Sequence, residues 1–147
     1  MRRTQTLFLL ASEGGYRLLK TADAALSEIA SVSSDTFDDM PGDAPPGSHG
    51  RHAVGPSGAM FGTGEESRLG ELARAAVARH AMAALDQAWA GQDCDRIAIA
   101  AGPKMLGAMR DALPKALADK VALELGKDLM AISAHDLPAH FEGKLGW

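Results

Sequence analysis

The sequence predicts an α+β chain, within the broad α/β class, built on one five-stranded mixed sheet with elements in the order βββαβαβα. Three observations predict it. Asp95-Arg-Ile-Ala-Ile-Ala-Ala-Gly-Pro-Lys, a helical run and then Val121-Ala-Leu-Glu-Leu-Gly-Lys read as strand, crossover helix and strand, a unit whose two strands lie parallel. Short extended segments separated by turn signals open the chain, which is how antiparallel strands begin. Between these two regions, Thr63-Gly64-Glu65-Glu66 matches a capping box at the head of a run of helical periodicity.

In chain order, Thr6 to Ser12 is an apolar strand, Glu13-Gly14-Gly15 a turn, and Tyr16 to Lys20 a second strand. Ala25 to Ser33 is expected as a third, with Leu26, Glu28, Ala30 and Val32 on one face and Ile29 opposite, while its alanine content leaves a helix open. From Ser34 to Gly62 the composition changes to four Pro, six Gly and four Asp. That stretch reads as a long Gly/Pro-rich loop, and loops beyond about 15 residues are commonly functional or disordered.

The helix opened by Thr63 is expected to run to about Trp89 and end at Gly91, with Leu69, Leu72, Ala73, Ala76, Val77, His80 and Ala84 on its apolar face. Arg96 to Ala101 lacks alternation, as a strand buried on both faces should. Gly102 stops it, and Pro103 suits a first helical turn because its missing amide hydrogen had no partner there. Pro114 should interrupt that helix before a second short piece. Val121 to Leu125 is the fifth strand, and Ser133 to Leu145 reads as a final helix with Ser133 or Asp136 as N-cap. Three meandering strands followed by parallel crossovers make the ribonuclease-H-like arrangement.

At 147 residues with 46% hydrophobic content, one domain spanning 1–147 is expected. A net charge of −4 and a pI near 5.7 argue against indiscriminate binding to nucleic acid or acidic membranes. The lone Cys94 makes no internal disulfide and reads as a small apolar residue, in keeping with a cytoplasmic location. Arg2-Arg3 before Leu7 to Ala11 resembles a secretory leader, but the apolar run is too short for export and far short of the roughly 20 residues that span a bilayer. No membrane role is expected.

Candidate chemistry is sparse. A nuclease of this fold needs carboxylates on the first strand and at the end of the fourth to hold two metal ions. Here those places read Leu7 to Ala11 and Ala100 to Gly102, so no metal site, cofactor or catalytic residue is assigned. His135 and His140 are five apart and share no helix face, and His80 falls in an apolar stripe. His49 and His52, flanking Gly50-Arg51, form the histidine pair retained as a candidate loop site. Lys104 and Lys127 follow the fourth and fifth strands. They mark the edge where open sheets of this kind gather ligands, and a backbone phosphate is one partner they suit.

Asp95 to Pro114, then Val121 to Leu129 with Gly-Lys-Asp-Leu, then Asp136-Leu-Pro-Ala-His resemble the bacterial host-attachment family, a bacterial branch related to archaeal and eukaryotic peptide-chain release factors. Gly50-Arg51-His52-Ala53 before the long helix matches its loop pattern. The resemblance implies a fold like the release-factor middle domain and a link to ribosomes or transfer RNA. Catalytic release factors carry Gly-Gly-Gln on the loop before the long helix, whereas this chain reads His49-Gly50-Arg51-His52-Ala53-Val54-Gly55 there. The resemblance therefore implies a non-catalytic binding module, expected to use Arg51 and His52 of the matching loop together with Lys104 and Lys127 at the strand ends. Two alternatives stay open: a role in attachment to host cells, direct or indirect, and a peptidyl-tRNA esterase working through His49 and His52.

Overall fold

The computed structural model describes residues 4–22, 25–41 and 56–144, with side chains of the first helix described from residue 68 onward. Strands β1 (Thr6–Ser12), β2 (Gly15–Ala22) and β3 (Ala25–Ser33) are followed by a 3-10 turn at Ser34–Thr36. Then come α1 (Pro56–Gly91), β4 (Arg96–Ala101), α2 (Pro103–Ala112), α3 (Lys115–Ala118), β5 (Val121–Leu125) and α4 (Leu137–Phe141). The sheet order is β3-β2-β1-β4-β5, with β1, β4 and β5 mutually parallel and β2 antiparallel to both its neighbours. This is the α+β mixed sheet that the meander and crossovers predict, and its order is compatible with the ribonuclease-H-like arrangement.

Period-two alternation in the central strands divides the core in two. Leu7, Leu9, Leu18, Ile97 and Ile99 face α1, α2 and α3, meeting Val77, Ala81, Leu85, Met109 and Leu117. Phe8, Leu10, Leu19 and Ala100 face the other way, onto Leu129, Leu137 and Phe141. Phe8 and Phe141 lie 4.8 Å apart between ring centroids, tilted at 58°, so the short α4 is held by an aromatic contact rather than by its own length.

Several expected bounds and faces are corrected. β3 does not present one face along its length: Leu18 pairs with Ala30 but Leu19 with Glu28, leaving Ile29 as an extra residue. This bulge reverses the alternation, so Leu26 joins one core while Ala30 and Val32 join the other.

The stretch 34–62 is not loop throughout, because a 3-10 turn occupies its start and α1 already begins at Pro56; residues 42–55 of it lie outside the described residues. Pro at a first helical position is as good an opening as the Thr63 box, which lies inside the helix.

The buried side of α1 is Ala76, Val77, Ala78, Ala81, Met82 and Leu85, whereas Leu69 and Leu72 are 44% and 47% exposed. A helix this long packs on the sheet over only part of its run. The final helix covers Leu137–Phe141 rather than 133–145. It is preceded by a turn in which Asp136 N donates to the Ser133 hydroxyl at 3.3 Å.

β2 extends two residues beyond Lys20, and Gly15 belongs to it. Gly15 has a φ of 143°, and a Cβ there would run into the Val32 carbonyl oxygen. Arg17, though charged, is buried on β2 beside Glu28, and its Nη1 donates to the carbonyls of Met130 at 3.0 Å and Ile132 at 2.6 Å. That fastens the segment after β5 onto the sheet.

Candidate functional site

Because β1, β4 and β5 are parallel, their carboxyl ends meet along one edge of the sheet. Ser12 and Glu13 leave β1 there, Gly102-Pro103-Lys104 leave β4, and Gly126-Lys127-Asp128 leave β5. The lysines singled out by their position after strands thus share one edge, and both side chains are exposed. His49, Gly50, Arg51 and His52 lie outside the described residues.

Two depressions adjoin this edge, and Lys104 borders both. The smaller, of about 370 Å³, is formed by Ser12, Glu13, Gly102, Pro103, Lys104, Met105 and Asp128. The larger is an open groove of about 920 Å³ between α1 and α2, with Gly70, Ala75, Gly107 and Ala108 among its walls and Arg74, Arg79, Glu71 and Asp111 as its charged groups. Small residues on both helices keep the groove open, since larger side chains there would fill it.

Two of the groove's cations are already engaged. Arg74 Nη1 donates to Glu13 Oε1 at 3.3 Å, tying α1 to the β1–β2 turn. Its guanidinium folds back over Gly70, where an added Cβ would come within 3.2 Å of it. Arg79 Nη2 donates to Asp39 Oδ2 at 3.1 Å, and the other oxygen of Asp39 lies 2.7 Å from His80 Nε2. These hydrogen bonds, His80 first, hold the Asp39 carboxyl below the usual carboxylate range. Among the described residues, Lys104 and Lys127 have no such partner.

The histidine that sequence periodicity places in an apolar stripe is therefore a half-exposed, partnered residue stacked on Phe37. Its partner is Asp39. Among the described residues, no group of three or more His, Cys, Asp and Glu could hold a metal ion. Arg74 and Arg79 escape sequence reading because an arginine on the polar side of a helix is indistinguishable from a solvated one until the neighbouring helix is in place.

The profile of a family described as "protein required for attachment to host cells" matches residues 5–141. The chain belongs to that family. The match begins one residue before β1 and ends at the last residue of α4, so it takes in the whole sheet and both depressions at its edge. No curated protein matches the chain. No helix among the described residues of this host-attachment family member is long and apolar enough to cross a membrane.

Proposed function

We propose that this member of the host-attachment family is a non-catalytic cytoplasmic binding module that docks a phosphate-bearing partner, ribosomal or transfer RNA, at the carboxyl edge of its sheet. The observation that carries the reading is the convergence of Lys104 and Lys127 on one edge, with Lys104 also bordering the groove that holds Arg74 and Arg79. Exposed ammonium groups beside a concave surface suit phosphate oxygens, which position a nucleic acid without reading its sequence. Arg51 and His52 are assigned to binding on the strength of the release-factor resemblance alone. The lack of Gly-Gly-Gln before α1 supports a binding role over peptidyl-tRNA hydrolysis.

Co-sedimentation of the full chain with ribosomes in low and in high salt tests it. Association that falls steeply as salt rises, and that weakens in Lys104→Glu and Lys127→Glu, is the expected result. Absence of any association at low salt overturns it.

The family's description favours a second reading, in which the protein serves attachment to host cells directly at the surface. Fractionation of cells producing the tagged full chain separates the two. Recovery at the cell surface supports direct attachment, and recovery in the cytosol alone leaves an indirect route through an internal partner.

A further inference from the structure

We infer that the cleft at the ends of β1 and β4 takes one ribonucleotide unit of the bound strand, with its phosphate at Lys104 and its ribose hydroxyls at Asp128. The inference rests on the RNA-docking reading above and makes it specific for RNA over DNA. At about 370 Å³ the cleft falls within the range of small-ligand sites, and three separate chain segments converge on it. Its polar groups are of opposite kinds. Lys104 brings an ammonium that no described carboxylate engages, a donor for phosphate oxygen. Asp128 brings a carboxylate of which one oxygen accepts the Met130 amide at 3.0 Å, leaving the other as an acceptor.

A pure anion such as inorganic phosphate is a poor match, because the Asp128 carboxylate borders the same cleft and repels it. A pure cation meets Lys104. A phosphorylated diol satisfies both, since hydroxyls donate to a carboxylate while the phosphate lies toward the ammonium. The charge of Glu13 is offset by Arg74, so Asp128 is the acceptor left for a hydroxyl. Carboxylate recognition of a ribose diol beside a phosphate is an established chemical pairing in nucleotide sites, and the 2′-hydroxyl is what separates RNA from DNA at a given position.

The test is a titration of the full chain with uridine 5′-monophosphate, its 2′-deoxy counterpart and inorganic phosphate, followed by amide chemical shifts. Shifts at Ser12, Gly102, Lys104 and Asp128 should saturate with the ribonucleotide. The deoxy compound should bind about tenfold more weakly, the scale of one hydrogen bond to a charged group. Asp128→Asn should reduce that preference, and Lys104→Ala should weaken both nucleotides. Equal binding of the ribo and deoxy compounds, or shifts at these amides with phosphate as strong as with the nucleotide, overturns the ribose assignment. Salt-sensitive ribosome association without any nucleotide shifts in the cleft also overturns it while leaving the docking reading intact. Loss of both removes the docking reading as well.

Discussion

The imidazole of His80 lies flat on the ring of Phe37, with centroids 3.9 Å apart and planes within 4° of parallel. The same imidazole meets Asp39 edge-on at 2.7 Å. One histidine thus fastens the segment after β3 to α1 by both its face and its edge. His80→Ala should remove a ring contact worth about 1 kcal/mol and release the segment locally. Hydrogen exchange is the measurement: protection at the Phe37 amide, which donates to Ser34 O at 3.1 Å, should fall, while the midpoint of global unfolding moves little.

The same cluster has an acid limit. Asp39 is held below the usual carboxylate range by His80 and then by Arg79, so the native state favours its charged form. A lowered native value means that the contribution is complete above the ordinary aspartate range, roughly pH 4. It is lost as pH falls through the lower native value. The ring resonances of Phe37 should show an inflection below about pH 4. Asp39→Asn should abolish that inflection, and an unchanged inflection would assign it to another carboxylate.

Arg17 carries a different kind of weight. Its guanidinium is buried and reaches Glu28 and two carbonyls beyond β5. Arg17→Met leaves both carbonyls without their donor and strands the Glu28 carboxylate. Glu28 is 38% exposed, so solvent softens the loss of the ion pair, and a total of about 2–3 kcal/mol is expected. Urea unfolding should show a lower midpoint at an unchanged slope. Arg110→Ala is the control, because its link to Glu124 is largely exposed, at 57% for the arginine side chain, and should cost under about 1 kcal/mol.

How legible these features are in the sequence follows from how local their causes are. β1, β4 and β5 match to the residue because each is an apolar run closed by a turn signal: Glu13-Gly14, Gly102-Pro103 and Gly126. The Pro114 break between α2 and α3 is legible for the same reason. The bulge at Ile29 is not, since it exists only in the pairing of β3 with β2, and nothing within Ala25 to Ser33 marks it. The start of α1 offers two acceptable openings, Pro56 and Thr63, and local sequence does not choose between them.

For the site, Lys104 and Lys127 are legible because a residue just after a parallel strand has a fixed place on the sheet edge. Arg74 with Glu13 and His80 with Asp39 are 61 and 41 residues apart. Sequence spacing carries no trace of either pair.

Gly15 marks a place where backbone and neighbour act together. Its φ of 143° is one that L side chains rarely adopt, and a Cβ would collide with the Val32 carbonyl on β3. Gly15→Ala should therefore destabilise by about 2 kcal/mol or more, through strain and a displaced β2–β3 ladder. Gly102→Ala is the matched control, having nothing within 4 Å of the added methyl, and should change stability by about 0.5 kcal/mol or less. Thermal unfolding of the two variants measures the difference, and equal midpoints would remove the argument from β3.

Glu13 sits where it restrains the surface proposed for docking. It engages Arg74 at 3.3 Å, so one of the groove's guanidinium groups faces a carboxylate of its own chain rather than a partner. Glu13→Gln keeps the shape of the side chain and removes the charge. With the Arg74 guanidinium freed, ribosome association should strengthen several-fold at low salt. Each additional phosphate contact steepens the dependence of log affinity on log salt by about 0.7–0.9, so the slope should rise by about that amount. Tighter binding with an unchanged slope would mean that Glu13 acted only by repelling the partner, and unchanged binding would place Arg74 away from it. The Arg74→Ala, Glu13→Gln double variant distinguishes these outcomes, because it should lose the added slope while keeping whatever gain came from relieved repulsion.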